Sequence, residues 1–203
     1  MKLSHSSKMN ETTSVMYVFA GNNGSGKSTI RNMIVDVLGI SVNIDPDVLA
    51  RGLNAEYPER RKVSAGKEAI KLARDCIRQN RDFSIETTLS GGNALRLIKH
   101  ARENGMKITM FYVGLGDHEL NIERVAMRVK NRGHDIPTAD IIRRATTSMQ
   151  NLLSHLDLID RLIVIDNTNE IGEIVLQAEG HSVTYRSEFL PPWVETITRH
   201  LEA

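Results

Sequence analysis

Apolar residues along this chain alternate between two spacings. Residues 15–20, "VMYVFA", form a short run of β-branched, aromatic and small side chains, while residues 28–38, "STIRNMIVDVL", set Ile30, Met33, Ile34, Val37 and Leu38 at helical intervals. The first pattern predicts a buried strand and the second an amphipathic helix. Further strand-like runs follow at 41–44 ("SVNI"), 83–86 ("FSIE"), 107–113 ("KITMFYV") and 161–165 ("RLIVI"), separated by helical segments. An alternating β/α chain of this kind predicts an α/β fold: a mostly parallel sheet with helices on both faces. Residues 173–188 read as a hairpin turning at Gly180, and "PPWVETITRHLE" as a closing helix with proline in its first turn. No repeat, low-complexity tract or linker interrupts the series, so the expected organisation is a polar tail over residues 1–14 and one domain over 15–203.

Composition adds few constraints. With 203 residues, 40% of them apolar and 25% charged, the chain can bury one continuous core. A net charge of +1 gives no global reason to expect a nucleic-acid or membrane partner, so any basic site must be local. No apolar run approaches the roughly 18 residues of a spanning helix, and the polar N-terminus lacks a signal-peptide core, which leads to the expectation of a cytoplasmic protein. Cys76, the only cysteine, shares a helical face with Ala69, Ala73 and Ile77 and reads as a buried structural thiol.

Chemistry is concentrated after the strands, where open α/β sheets bind their ligands. "GNNGSGKST" follows the first strand and opens the first helix. It fits the G-x-x-x-x-G-K-[ST] pattern, in which a glycine-rich turn aims backbone N–H groups at phosphate oxygens. The expected nucleotide-binding residues are Gly21, Asn22, Asn23, Gly24, Ser25, Gly26, Lys27, Ser28 and Thr29, with Lys27 on the β/γ-phosphates of ATP and the Ser28 hydroxyl on Mg2+. Three other strand ends are acidic: Asp45-Pro46-Asp47, Glu86 before Thr87 and Thr88, and Asp166 before Asn167. Carboxylates facing a phosphate loop suggest a hydroxyl-bearing substrate beside a Mg-nucleotide. Pro46 holds Asp45 extended at the strand end, which sets Asp47 one step further out, towards that hydroxyl.

The helical segment 117–133 carries Ile122, Val125, Ala126 and Val129 on one face and Arg124, Arg128 and Arg132 at i, i+4 steps on another. Such a stripe can be a solvated face. Because it leads through "GHDIPTADIIRRA" to Arg143 and Arg144, it also reads as a lid-like segment, about 128–144, that brings cations to a transferring phosphoryl group. Trp193 reads as packing. "LSGG" at 89–92 is similar to the signature of ABC transporter ATPases, but no acidic pair closes the next strand, since "KITMFYV" runs into Gly114-Leu115-Gly116.

Taken in order, "AGNNGSGKST", "NIDPDVLARGLN", "FSIETTLSGG", "IERVAMRVKNRGHDIP", "IIRRATTSMQNL" and "VIDNT" resemble the zeta toxin family of P-loop kinases, from about residue 19 to 168. The resemblance implies a three-layer P-loop NTPase/kinase fold and ATP-dependent phosphorylation of a sugar hydroxyl on a nucleotide sugar such as UDP-N-acetylglucosamine, normally restrained by an antitoxin. It implies catalytic roles for Asp47 (the base), Lys27, Arg128 and Arg144, substrate contacts from Glu86, Thr87 and Thr88, and ATP with Mg2+ as cofactors. Two departures bear on the arginines: Arg132 stands where related chains often carry a second glycine, and the lid is short. The alternatives are a housekeeping metabolite kinase of the same fold and a nucleotide-binding regulatory module without catalysis. The latter would need Lys27 but neither Asp47 nor Glu86.

Overall fold

The computed structural model describes residues 13–52, 58–131, 135–169 and 171–203, without the side chains of 47, 51–52 and 58–63. In chain order the elements are β1 (Val15–Ala20), α1 (Lys27–Leu38), β2 (Asn43–Ile44), α2 (Pro46–Gly52), α3 (Pro58–Arg78), β3 (Phe83–Thr87), α4 (Gly92–Glu103), β4 (Lys107–Gly114), α5 (His118–Lys130) and α6 (Thr138–Leu153). A short 3-10 turn (Leu156–Leu158) then leads to β5 (Arg161–Asp166), β6 (Glu173–Glu179), β7 (Ser182–Arg186) and α7 (Pro192–Leu201).

The strands form one sheet in the order β2-β3-β1-β4-β5-β6-β7. β2 to β5 pair parallel through β1, and β6 and β7 add an antiparallel edge. The expected α/β architecture is therefore present, with a hairpin closing one side. β1 runs buried between β3 and β4, which is why "VMYVFA" reads as nearly continuous apolar sequence rather than as an alternation. β2 is shorter than its predicted span because Pro46 begins α2 at once.

Two apolar layers flank the sheet. On one face Phe19, Phe111, Val113, Ile163 and Ile165 meet Ile30 and Val35 of α1, and the rings of Phe19 and Phe111 stack at 4.8 Å across adjacent strands. The other face is larger. Met16, Val18, Met110, Tyr112 and Val164 pack there against residues of α3, α4, α6 and α7, with Cys76, Ala69, Ala73 and Ile77 on the α3 side as expected for a structural thiol.

Within this second layer Tyr112 is fully buried and pairs its hydroxyl with Ser148 Oγ of α6 at 3.0 Å. Burial pushes its phenol up to about 12, so the ring stays neutral and ties β4 to α6. Trp193 belongs to the core edge, as its amphipathic ring predicts: it donates to Asp166 Oδ2 at 3.3 Å and lies flat against Gly114. A Cβ at position 114 would come within 2.5 Å of the indole. Gly114→Ala therefore overpacks this corner and should cost about 1–3 kcal/mol in chemical denaturation. Trimming the ring in Gly114→Ala/Trp193→Leu should make the two losses less than additive.

Candidate active site

The phosphate loop begins where β1 ends, and its shape is imposed by its neighbours. Gly21, Gly24 and Gly26 have φ of 139°, 79° and 91°, values that disfavour other residues. Space forbids a side chain as well. A Cβ at Gly21 would lie 2.1 Å from the Val113 carbonyl oxygen, at Gly24 2.5 Å from that of Asn121, and at Gly26 2.2 Å from the Asn167 amide. Two of these neighbours also hold the loop: Asn121 Nδ2 donates to the Asn23 carbonyl at 2.8 Å, and Asn167 Nδ2 to the Ser25 carbonyl at 2.9 Å.

Past Gly26 the chain enters α1 with no capping side chain and no acidic residue in the first turn. Its N-terminal N–H groups and the positive end of its dipole therefore face the loop, an arrangement suited to an anion. Lys27 is buried and turns its ammonium onto the Asn22 carbonyl at 2.8 Å, inside the loop it would share with phosphate.

Beside the loop lies a group that the motif does not name. Arg31, one turn after Lys27 on α1, is 7% exposed and bridges two carboxylates: Asp45 at 2.9 Å and Glu86 at 3.1 Å. Asp45 also receives the Val48 N–H at 3.3 Å, which makes it the cap of α2. Asp45 does end its strand, as Pro46 requires, but α2 starts at Pro46, so Asp47 sits inside the first turn rather than in an extended segment. The side chain of Asp47 lies outside the described residues.

Glu86 Oε1 accepts from the Ser28 hydroxyl at 2.9 Å. Its Oε2 has the close ion pair to Arg31 but no hydrogen bond of good geometry, so the contact is chiefly electrostatic. Burial raises the Glu86 carboxyl above its ordinary 4.5 and Asp45 adds to the rise, against lowering by Lys27, the Ser28 hydroxyl and Arg31.

A cleft of about 570 Å3 opens in front of these groups, lined by Asn23, Lys27, Asp45, Glu86, Thr87, Thr88, Asp135, Arg143 and Arg144 among others. Thr87 and Thr88 also shape their own turn: Thr87 Oγ1 accepts from the Leu89 N–H at 3.0 Å, and Thr88 Oγ1 pairs with Ser90 Oγ at 2.8 Å. "LSGG" is thus the β3–α4 turn on the cleft wall. Leu89 is buried there at φ 56°, and its carbonyl is held by Asn151 of α6 at 2.8 Å.

The arginines divide. Arg144 donates to Asn23 Oδ1 at 3.1 Å and so touches the phosphate loop from α6, with Asp140 at 3.4 Å behind it. Arg124 instead donates to the Asn167 and Thr168 carbonyls, both at 3.0 Å, and braces α5 to the end of β5. Arg128 is exposed on α5 and is not among the described residues lining the cleft, while Arg132 lies outside the description. Arg31, Asn121 and the loop-holding role of Asn167 were not legible in the motifs. Arg31 is hidden in an amphipathic helix, where a single arginine ordinarily reads as surface.

A Mg ion fits this donor set: the Ser28 hydroxyl stands against a carboxylate whose second oxygen lacks a hydrogen bond, and Mg2+ in nucleotide sites needs only a few protein oxygens beside phosphates and water. Among the described residues no cluster of three or more His, Cys, Asp or Glu side chains forms a metal cage. No described helix is long and apolar enough to cross a membrane.

A phosphate loop on β1, acidic neighbours at the ends of β2 and β3, and an arginine reaching in from α6 define a kinase-type P-loop fold. The comparisons make that class specific: the Zeta toxin family model matches residues 2–188, and the chain belongs to that family. A solved structure of the PezAT chromosomal toxin–antitoxin system of Streptococcus pneumoniae shares the fold with a TM-score of 0.65 at 15% identity, over 94% of this chain and 85% of that one. AvrRxo1-ORF1:-ORF2 crystallised with ATP gives a TM-score of 0.66 at 14% identity and covers 93% of this chain, which spans 63% of that chain's length. An uncharacterised protein of Haemophilus influenzae is 38% identical over 125 residues, covering 62% of this chain and 87% of its own.

Two outcomes test the electrostatics of the site. Glu86 is protonated more readily in the folded chain than in the unfolded one, so it contributes stability below its unfolded pKa that is lost as pH rises through the folded value. Glu86→Gln should therefore raise the melting temperature at pH 7–8, and the gain should shrink towards pH 4. Arg31→Met leaves two buried carboxylates facing each other and should cost about 3–5 kcal/mol in denaturant titration at pH 7.

Proposed function

We propose that this chain is an ATP-dependent small-molecule kinase that phosphorylates a sugar hydroxyl of a nucleotide sugar, UDP-N-acetylglucosamine being the first candidate, as the toxin of a toxin–antitoxin pair. The observation that carries the reading is the shared cleft: Lys27 and the uncapped start of α1 on one wall, carboxylates of two strand ends on the next, and Arg144 touching the loop from the third. A regulatory module that only bound nucleotide would not need buried charge there.

In this reading the loop N–H groups and Lys27 bind the ATP phosphates, and Lys27 gives up its contact with the Asn22 carbonyl to do so. The Ser28 hydroxyl would hold a Mg2+ ion that enters with the nucleotide, and that ion would supply positive charge against the phosphates. Glu86 orients the Ser28 hydroxyl and, through Arg31, is kept in register with Asp45 at the acceptor side. Asp47, in the first turn of α2, accepts the proton of the attacking hydroxyl. Arg144, with Arg128 following from α5, carries positive charge towards the transferring group, and Thr87 and Thr88 contact the acceptor. Two of the similar structures are of a toxin–antitoxin system and of AvrRxo1-ORF1:-ORF2, which supports an antitoxin partner for this chain.

The deciding experiment incubates purified protein with ATP, Mg2+ and a panel of nucleotide sugars and looks by mass spectrometry for one added phosphate. Absence of ATP-dependent phosphorylation across the panel would overturn the acceptor assignment. Asp47→Asn should lower kcat at least about 10²-fold with ATP affinity and melting temperature retained. A destabilised Asp47→Asn protein with full specific activity would refute the base. Arg144→Ala should lower kcat more than about tenfold, whereas Arg124→Ala, which removes a brace, should show itself mainly in the melting temperature.

A further inference from the structure

Among the groups lining the cleft is a carboxylate that the proposed reaction does not use. Asp140, in the first turn of α6, stands there together with Arg143 and Arg144. An acidic residue near a helix start is ordinary, since it complements the helix dipole, and ion pairs at i, i+3 and i, i+4 on an exposed helix add little stability. Its place in an anion-binding cleft is not ordinary. Negative charge there opposes every phosphate that enters, unless cations cover it.

Two cations do. Arg143 Nη2 donates to Asp140 Oδ1 at 2.9 Å and Arg144 Nη2 to Oδ2 at 3.4 Å, so each carboxylate oxygen has its own arginine. The hydrogen bond from Arg143, with the charges of both arginines, holds the Asp140 carboxyl below its ordinary 3.8. Arg144 is also held from its other side, where Nη1 donates to Asn23 Oδ1 at 3.1 Å. Asn23 is a firm support: it is buried, its N–H donates to Asn22 Oδ1 at 2.8 Å and its carbonyl accepts from Asn121 of α5 at 2.8 Å. A guanidinium tied at one nitrogen to its own helix and at another to the phosphate loop has little rotational freedom left. These two contacts engage only part of its five-donor fork.

The two acceptors differ in kind, and the difference sets which one yields. Asn23 offers a neutral amide oxygen, whereas a phosphate oxygen is charged and makes a hydrogen bond roughly twice as strong. Entering phosphate therefore replaces Asn23, and the ionised Asp140 keeps its hold.

We infer that Asp140 is the positioning residue for Arg144: it is the fixed pivot on which the guanidinium turns from Asn23 to the transferring phosphoryl group, with Arg143 kept alongside. This rests on the kinase reading above and gives Asp140 a part in turnover without contact with either substrate. Loss of the pivot has a signature that loss of helix stability lacks. Without the carboxylate the cleft is more positive, so ground-state attraction for ATP is kept or increased, while the transition state loses an arginine placed in advance.

The test is a double-mutant cycle on kcat, joined to a measurement that does not depend on turnover. Asp140→Asn should lower kcat by about three- to tenfold, less than the loss from Arg144→Ala, with the KM for ATP unchanged or lower. Asp140→Glu, which keeps a carboxylate within reach of both arginines, should return kcat to within about twofold of wild type. In the Arg144→Ala background, Asp140→Asn should change kcat by less than about twofold, because a pivot has no effect without its lever. Nitrogen-15 NMR of the arginine side chains, without nucleotide, reads the hold itself. The Arg144 signals, identified by their loss in Arg144→Lys, should show two separate Nη resonances in wild type and in Asp140→Glu, and a merged one in Asp140→Asn. Wild-type kcat in Asp140→Asn, losses that multiply in the double variant, or a freely rotating Arg144 in the wild-type protein overturns the inference. A held Arg144 in a protein that phosphorylates no nucleotide sugar would uphold the hold and overturn the kinase reading, and phosphate transfer at an unchanged rate in Asp140→Asn would do the reverse.

Discussion

The arrangement of the site depends on one buried cation. Arg31 sits between Asp45 and Glu86, with both side chains and its own nearly withdrawn from water. Each charge would be costly alone, and the guanidinium is suited to the position because it stays ionised, donates from Nη1 to Asp45 and holds the same nitrogen 3.1 Å from Glu86. Its effect is geometric as well as energetic. Arg31 belongs to α1, Asp45 follows β2 and Glu86 lies in β3, so one side chain sets the distance between the helix after the phosphate loop and two strand ends that line the cleft.

A second constraint acts through space rather than charge. The phosphate loop is enclosed by β4, α5 and the segment after β5, each of which presents a backbone or amide atom where a Cβ would have to go. Asn121 and Asn167 then donate to the Asn23 and Ser25 carbonyls, pinning the loop backbone from outside. The loop thus needs no ligand to acquire its shape. A preorganised loop also explains why Lys27 can be buried: its ammonium is satisfied by the Asn22 carbonyl until phosphate replaces that partner.

Local patterns in the sequence carry the parts of this picture that have local causes. The strand-loop-helix order around residues 15–38, the acidic strand ends and the hairpin at 173–188 follow from spacing, turn chemistry and short apolar runs, and the fold agrees with them. Less could be read where tertiary context decides. Pro46 signals an interruption but not whether a strand or a helix continues, and the cap role fell to Asp45 because its carboxylate is already oriented by Arg31. The stripe of Arg124 and Arg128 is regular in sequence, yet Arg124 faces carbonyls after β5 and Arg128 faces solvent, since α5 packs through Val125 and Asn121. Arg144, outside any stripe, reaches the loop because Ser148 and Asn151 fix α6 against β4 and the β3–α4 turn. No single-sequence pattern encodes such a meeting of elements.

The two halves of the cleft differ in how much variation they allow. On the nucleotide side, positions 21, 24 and 26 are fixed by contacts closer than any side chain permits, and Arg31 is fixed by the two charges it must neutralise. The opposite wall is made of apolar helix surface: Ala69 and Ala94 border a cavity, and a Cβ at Gly66 beside them would meet no atom of the described residues within 4 Å. Substitution there changes volume without breaking a hydrogen bond or stranding a charge. A fold shared at about 15% identity, as with the PezAT structure, is what such a division permits. The nucleotide side tolerates little, whereas the apolar wall is free to change in volume.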